Sequence, residues 1–191
     1  IDYNIILQKQ NESQNETINP NKNYFLLDFS KNWKSQLKKQ NRYNEFKDRK
    51  FDTILCLNSI HNTYTNLESF VNQVSYVSNN NCKLIIKFLN KTSLDILLQK
   101  YNKNRLQFGT NWIQKINKNQ IKYYYSHCHQ EPIIEYIFDH NELIRGFETN
   151  SWELLEHTKL DDDYIERTSI NSYLWEKYLQ CFEILVFKFV E

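Results

Sequence analysis

Polar side chains follow the ends of three predicted strands, the first of which is represented only by its last piece, Ile1-Asp2. Asp2 comes at the start of the chain, Asp28 follows Tyr24–Leu27, and His61 lies in the polar stretch after Phe51–Leu57. In an open sheet of alternating strands and helices, ligands bind at the carboxyl ends of the parallel strands. Acids there can accept hydrogen bonds from ribose hydroxyls or an adenine amino group. Together the three positions favour a nucleoside site, although helix capping or solvation explains either aspartate alone equally well.

The run His127-Cys128-His129 contains residue types that ligate zinc. Neighbouring residues of a strand point to opposite faces, and no second ligand pair stands at the spacing of zinc sites. We therefore expect no metal cofactor. The cysteines form no C-x-x-C pair, which is typical of reduced thiols in a cytosolic protein.

The composition excludes several classes of protein. The 191 residues carry 24 Lys+Arg against 23 Asp+Glu, so no strong overall field attracts nucleic acid. The two glycines, Gly109 and Gly146, form neither a Walker loop nor a G-x-G-x-x-G turn. No apolar run approaches the length of a membrane span, so we expect no membrane partner. Alanine and methionine are absent while Asn, Lys and Ile abound, which indicates a codon bias toward A and T.

The predicted elements that must position these side chains first alternate between strand and helix and then form a run of consecutive strands. Apolar runs predict strands, and apolar residues at helical spacing predict helices. The first half has predicted strands at Tyr24–Leu27, Phe51–Leu57 and Lys83–Leu89, helices at Leu67–Val77 and Leu94–Tyr101, and a turn at Asn79–Asn81. Three strand-like runs follow, at 112–116, 121–125 and 133–138. The chain closes with helix Asn141–Phe147, strand Trp152–His157, helix Ser172–Leu179 and strand Phe182–Val190.

This order predicts a single α/β domain over residues 1–191. The alternating part is typical of a Rossmann-like sheet with helices on both faces, and the later runs indicate an antiparallel insertion before the last two strands. The predicted parts are a cofactor-side half (1–105), the insertion (106–138) and the closing strands and helices (139–191). The aromatic residues at 112 and 123–125 could stack on RNA or fill the core. The basic stretch Lys31–Lys50 is either a solvated helix face or an RNA contact.

Two segments carry a family resemblance. Residues 57–62 (LNSIHN) are similar to the Q-F-A-x-H-Y motif, and residues 131–160 (EPIIEYIFDHNELIRGFETNSWELLEHTKL) to the P-x-x-E-Y segment, of mRNA cap guanine-N(7) methyltransferases. With IDYN and NYFLLDFS upstream, the chain resembles this group of class I S-adenosylmethionine-dependent methyltransferases over essentially its whole length. It most resembles the capping enzymes of poxviruses and of yeast cytoplasmic linear plasmids.

The resemblance implies a set of donor contacts. Asp2 matches the acid that binds the ribose of S-adenosylmethionine, and Asp28 matches the acid beside its adenine. Ser59 and Asn62, in the loop after the Phe51–Leu57 strand, match positions against the donor. The family's first strand and glycine-rich loop would precede Ile1, so we expect the 191 residues alone to be inactive.

The resemblance also implies a pocket for the cap guanine, formed by Asn58, His61, Glu135 and Ile184. One carboxylate at Glu135 can accept both N–H donors on the Watson–Crick edge of guanine, and adenine has no such pair. Because N(7) carries a lone pair and no proton, we expect His61 and Glu135 to position the substrate, not to transfer protons. A structural histidine and an exposed strand glutamate are the plain alternatives for these two residues.

Four departures from the family motifs leave a second function open. Leu57 stands where the family has Gln, Asn58 where it has an aromatic residue, and Asn62 and Ile184 where it has Tyr. Losing an aromatic residue weakens stacking on guanine, which contributes about 1–3 kcal/mol per base. The departures favour a catalytically weakened binding or stimulatory subunit of a capping complex. A methyltransferase for a different small substrate is a further alternative, which Glu135 disfavours.

The first expectation is therefore an enzyme of mRNA processing that transfers a methyl group from S-adenosylmethionine to N(7) of the cap guanine. Its expected partners are the capped 5′ end of RNA and other capping-enzyme domains or a stimulatory subunit. Its expected location is the cytoplasm, in a virus factory or with a linear plasmid.

Overall fold

The structure, a computed structural model, describes residues 31–126, 129–160 and 173–190. In chain order the elements within these ranges are α1 (Trp33–Lys39), α2 (Tyr43–Phe46), β1 (Phe51–Leu57), a 3₁₀ helix (Ile60–Asn66), α3 (Leu67–Tyr76), β2 (Ser78–Leu89), α4 (Lys91–Lys100), β3 (Arg105–Phe108), β4 (Asn111–Asn117), β5 (Gln120–Tyr124), β6 (Ile133–Tyr136), α5 (His140–Glu148), β7 (Trp152–Lys159), α6 (Tyr173–Leu179) and β8 (Phe182–Phe189). Asp2, Asp28 and the predicted strand Tyr24–Leu27 lie outside the described residues. None of the described helices has the length and apolar character that crossing a membrane requires.

The first sheet has the strand order β1-β2-β8-β7. β1 and β2 are parallel, whereas β8 is antiparallel to both β2 and β7. Parallel strands need a crossover connection, and α3 supplies it. Its residues Phe70, Val71 and Val74 are buried at helical spacing, so they share one face. They pack in one core with Leu84 and Ile86 of β2.

The second sheet is the antiparallel insertion that the sequence predicts. Its order is β3-β4-β5-β6, and every pairing is antiparallel. The buried residues Leu106, Ile113 and Ile121 alternate with outward-facing ones and pack with Leu94 of α4 and Tyr178 of α6 in a second core. The short strand β3 is absent from the sequence prediction.

The predicted turn at Asn79–Asn81 is wrong, because these residues lie inside β2. Phe51 pairs with Ser78 but Thr53 already pairs with Lys83, so β2 carries extra residues that bulge from the ladder. Asn81 there has a φ of 66°, in the left-handed region that asparagine tolerates. The polar triplet therefore forms an irregularity in a strand and does not reverse the chain.

Helix α5 is fixed at its start and along its length. Asp139 and Glu142 form a capping box in which each side chain accepts from a backbone N–H at the helix start. Gly146 allows a close approach, since a Cβ there would lie 2.8 Å from Leu67 Cδ2. The helix thus lies against the junction of the 3₁₀ helix and α3.

Candidate functional site

A cavity of about 290 Å³ lies where the first sheet meets the second. Asn58, directly after β1, and Lys87 and Leu89 of β2 contribute its floor at the carboxyl ends of the two parallel strands. Residues of the 3₁₀ helix, β5, β6, α6 and β8 complete the lining. This edge is where open α/β sheets bind their ligands.

His61 and Glu135 meet in this cavity, although they are far apart in sequence. His61 Nε2 lies 3.0 Å from Glu135 Oε1, and the two side chains are 20% and 21% exposed. The Tyr123 hydroxyl donates to the same carboxylate oxygen at 2.5 Å. Because both contacts converge on one oxygen, the Glu135 carboxylate is held in one orientation at the cavity wall.

The chain after β1 is shaped to deliver His61 to that position. The Asn58 N–H donates to the Lys87 carbonyl at 2.8 Å, and Asn58 adopts a φ of 55° that turns the chain away from the strand. The buried Thr63 hydroxyl donates to the Ile60 carbonyl at 2.7 Å. These local bonds fix the first turn of the 3₁₀ helix, in which His61 lies.

Tyr64, in the second half of the 3₁₀ helix, ties that helix to the second sheet. Its ring stacks on Tyr136 of β6, with centroids 4.4 Å apart and planes inclined by 7°. The Asn119 side-chain amide donates to the Tyr64 hydroxyl. Since Tyr136 follows Glu135 in β6, this contact sets the separation between His61 and Glu135.

Aromatic side chains form most of the remaining wall. Tyr125 and Tyr178 join their hydroxyls at 2.8 Å, and Trp175 packs against Tyr125 edge to face. Burial, with Tyr125 beside it, raises the pKa of Tyr178 well above its usual value, so its hydroxyl stays neutral. Phe182 of β8 packs on Tyr178. An aromatic wall with one carboxylate and one imidazole suits a flat ligand that bears N–H donors.

At the level of sequence, no protein-family model and no curated protein matches the chain. Solved structures do match its fold. An S-adenosylmethionine-dependent methyltransferase from Clostridium acetobutylicum aligns with a TM-score of 0.62 and 11% identity, over 99% of this chain and 72% of that one. A protein of Listeria monocytogenes assigned to the same class aligns with a TM-score of 0.59 and 9% identity, over 96% of this chain and 76% of that one. A protein from Pyrococcus horikoshii aligns with a TM-score of 0.55 and 11% identity, over 100% of this chain and 71% of that one.

The chain has the fold of S-adenosylmethionine-dependent methyltransferases. The predicted Rossmann-like α/β class is therefore confirmed. At identities of 9% and 11% the likeness concerns the fold alone.

The methyltransferase fold places the other predicted site residues as follows. Ser59, partly buried, donates its hydroxyl to the Leu57 carbonyl at 3.1 Å, and the exposed Asn62 donates its N–H to the Ser59 carbonyl at 3.2 Å. These two lie beside the cavity, and their donor contacts stay predictions, as do those of Asp2 and Asp28, outside the described residues. Ile184 lies on the same face of β8 as Phe182 but one residue pair further along, and the cavity lining contains Phe182 instead.

The cavity lining includes residues that were not predicted from the sequence, among them Lys87, Trp175 and Tyr178. Lys87 reaches the cavity from β2, and its ammonium lies 5.6 Å from the centre of the Phe182 ring. Trp175 and Tyr178 come from α6. The signal that could have indicated them is their spacing of three residues, which places two aromatic rings on one face of a predicted helix.

The buried thiols of Cys56 and Cys181 are not reactive nucleophiles. Burial raises the pKa of Cys56 and that of Cys181 to about 12. The thiolate is the reactive form of cysteine, so both side chains behave as small apolar groups at neutral pH.

Proposed function

We propose that the protein is an mRNA cap guanine-N(7) methyltransferase that uses S-adenosylmethionine as the methyl donor. The observation that carries the proposal is the meeting of His61 and Glu135, 3.0 Å apart, in an aromatic-walled cavity at the ligand-binding edge of a methyltransferase fold. These are the two residues that the family motifs assign to the cap guanine.

Glu135 supports guanine over adenine. A carboxylate accepts hydrogen bonds only, and guanine offers two adjacent N–H donors on its Watson–Crick edge. His61 and Tyr123 hold the carboxylate before the ligand arrives, so less ordering is required on binding. The rings of Tyr125, Trp175 and Phe182 provide apolar surface for the purine.

The chemistry requires alignment more than proton transfer. S-adenosylmethionine supplies a methyl group on a cationic sulfonium for in-line transfer. The segment 59–62, which carries the polar residues Ser59, His61 and Asn62, begins beside the cavity after the left-handed residue Asn58 and fits a donor bound at that edge. Guanine N(7) carries a lone pair and no proton, so no general base is needed. Holding the two reactants in line can lower the barrier by up to about 7–11 kcal/mol.

The test compares methyl transfer by the wild-type protein and by Glu135→Gln. With radiolabelled S-adenosylmethionine, we expect the full-length wild-type protein to methylate the cap dinucleotide GpppA and not ApppA, since the 191 residues alone are expected to be inactive. Glu135→Gln replaces one acceptor oxygen with a donor amide, so we expect activity at sub-saturating GpppA to fall about 5- to 150-fold, equivalent to about 1–3 kcal/mol. Glu153→Gln, on the exposed face of β7, is the matched control and should retain wild-type activity.

Equal methylation of GpppA and ApppA, or full activity in Glu135→Gln, would contradict guanine recognition by this residue. Quenching of tryptophan fluorescence by GpppG provides a binding measurement independent of turnover, because Trp175 lines the cavity.

A specific observation favours the stimulatory-subunit alternative. Leu57, where the family motif has a polar Gln, is 52% exposed, and Asn58 replaces an aromatic residue at the cavity. For the full-length protein, this alternative predicts that GpppG quenches the tryptophan fluorescence in a Glu135-dependent manner. It also predicts that S-adenosylmethionine neither binds in a titration nor donates its methyl group. Donor binding thus separates the two functions.

A further inference from the structure

Three side chains converge on the opposite face of β8 from the cavity. His140 begins α5, His157 lies on β7 and Glu183 on β8. Neighbouring residues of a strand point to opposite faces, so Glu183 and the cavity residue Phe182 lie on different sides of the first sheet. One ligand atom from each residue of this His140–His157–Glu183 cluster lies within 4.8 Å of the other two.

Glu183 is a buried carboxylate, with its side chain 1% exposed. Its Oε1 accepts from the Ser93 hydroxyl at 3.4 Å and lies 4.0 Å from the Lys159 ammonium. The Lys159 side chain is 66% exposed, so its charge is well solvated and compensates the buried carboxylate only weakly. The other oxygen, Oε2, lies 3.4 Å from His140 Nδ1 and 2.8 Å from His157 Nε2. Buried charges are paired or coordinate a metal ion.

Asn90 determines which lone pairs point into the cluster. Its Oδ1 accepts from the Ser93 backbone N–H at 2.9 Å and caps α4. Its Nδ2 must then face the cluster, where it lies 3.1 Å from His140 Nδ1 and 3.2 Å from Glu183 Oε2. Because an amide nitrogen only donates, His140 Nδ1 is an acceptor. The single lone pair of His140 Nδ1 thus accepts from Asn90, 3.4 Å from Glu183 Oε2, and it can bind a cation when the Asn90 amide is displaced.

We propose that His140 Nδ1, His157 Nε2 and Glu183 Oε2 bind a divalent transition-metal ion of the zinc class. Zinc lies about 2.0–2.2 Å from nitrogen and oxygen ligands, so ligand atoms of a tetrahedral site are about 3.4 Å apart. The His140–Glu183 pair has this separation, and the His157–Glu183 pair must open by about half an ångström. Two imidazoles and a carboxylate suit zinc better than magnesium or calcium, which prefer oxygen ligands.

The position of the cluster indicates what the ion does. Its three ligands come from α5 and from the neighbouring strands β7 and β8, so the ion joins the helix start to the sheet. Both imidazoles are partly exposed, at 27% and 28%, which leaves the fourth coordination position open to water. The cluster lies across the sheet from the cavity, and its metal binding does not depend on the proposed methyl transfer.

The test is titration of the chelator-treated 191-residue chain with Zn²⁺ by calorimetry and with Co²⁺ by visible absorption. We expect one equivalent to bind, with the intense d–d bands of a tetrahedral cobalt site, and the unfolding temperature to rise with Zn²⁺. His140→Ala and His157→Ala should each weaken binding at least about tenfold. His157→Ala is the more conservative of the two for folding, and circular dichroism in chelator verifies the fold of both variants.

His129→Ala is the matched control, because it removes a histidine from the His127-Cys128-His129 run and leaves the cluster intact. We expect this variant to bind Zn²⁺ as the wild type does. The absence of saturable binding by the wild type would overturn the proposal. Unchanged affinity in His140→Ala and His157→Ala, or loss of binding in His129→Ala, would overturn it equally, since the cluster would then not be the site.

Discussion

Glu135 differs from an ordinary strand glutamate through its neighbours. His61 and Tyr123 both contact one of its oxygens, and Tyr136, the next residue, stacks on Tyr64 beside His61. These contacts fix the carboxylate at the cavity in the absence of ligand. Preorganised polar groups of this kind increase affinity because little conformational freedom is lost on binding.

Asn58 is expected to be required for its backbone conformation more than for its side chain. Its φ of 55° is costly for residues other than Gly, Asn and Asp. Asn58→Ala should therefore lower the free energy of unfolding by about 1 kcal/mol, whereas Asn58→Gly should be no less stable. Urea denaturation measures the free energy of unfolding of both variants. Asn62→Ala, on the exposed side of the 3₁₀ helix that follows Asn58, is the control and should change stability by less than about 0.5 kcal/mol.

Equal losses in Asn58→Ala and Asn58→Gly would show that the side chain, not the backbone, is what matters there. The same reasoning explains the departure from the family motif. An aromatic residue at position 58 would carry the same backbone cost in this conformation, so the loop after β1 is built for asparagine.

The candidate site could be predicted only where chemistry and sequence motif coincide. His61 and Glu135 have side chains whose role follows from their type and their flanking residues, and the structure brings them together. In the sequence, Lys87 is one residue of an apolar strand and Trp175 is one residue of a predicted helix, and no motif marks either as a site residue. They reach the cavity through the packing of β2 and α6, which no local pattern encodes.

At the scale of elements, the cap of α5 should contribute measurably to stability. Asp139 accepts from the Asn141 N–H at 2.9 Å and from the Thr92 hydroxyl at 2.6 Å, so it also joins α5 to α4. We expect Asp139→Ala to lower the free energy of unfolding by about 0.5–2 kcal/mol. Urea denaturation at neutral pH with chelator present measures this without a metal contribution.

The control for the cap is Glu148→Ala at the other end of α5. An acid in the last turn opposes the helix dipole, so its removal should leave stability unchanged or slightly raised. If both variants lost the same stability, the loss would reflect general helix propensity and the cap would contribute nothing special.

Element types could be predicted wherever apolar spacing is regular. The strands β1 and β8 and the helical spacing of α3 are confirmed by the structure. The expected burial of β1 is wrong in the part of the chain that the structure describes, where Cys56 is its one buried residue and Leu55 and Leu57 are exposed. Strand β3 was not predicted, because its four residues contain only two apolar positions, Leu106 and Phe108, and two positions are too few to show an alternating pattern. The Asn79–Asn81 turn was wrong because asparagine also tolerates the positive φ of a strand irregularity. The composition of Asn79–Asn81 indicates that regular structure is interrupted there. Whether the interruption is a turn or a strand irregularity is decided by the pairing of β2 with β1.

At the scale of the whole molecule, the candidate site exists only between two sheets with separate cores. The first sheet supplies the Rossmann-like framework, and the insertion supplies Glu135 and much of the aromatic wall. Contacts that hold the insertion against the 3₁₀ helix should therefore govern substrate affinity. Tyr64 makes the central contact, stacking on Tyr136 and accepting from Asn119.

We expect Tyr64→Leu to weaken binding of GpppG about 2- to 10-fold while the fold is kept. The lost ring pair is worth about 0.5–1.5 kcal/mol, and without it His61 and Glu135 are no longer held at contact distance. Fluorescence quenching measures the affinity, and circular dichroism verifies the fold. Tyr76→Leu is the control, because that ring is 57% exposed at the end of α3, away from the cavity. An equal loss of affinity in both variants, or none in Tyr64→Leu, would mean that the insertion is positioned by other contacts and that the stacked pair only fills space.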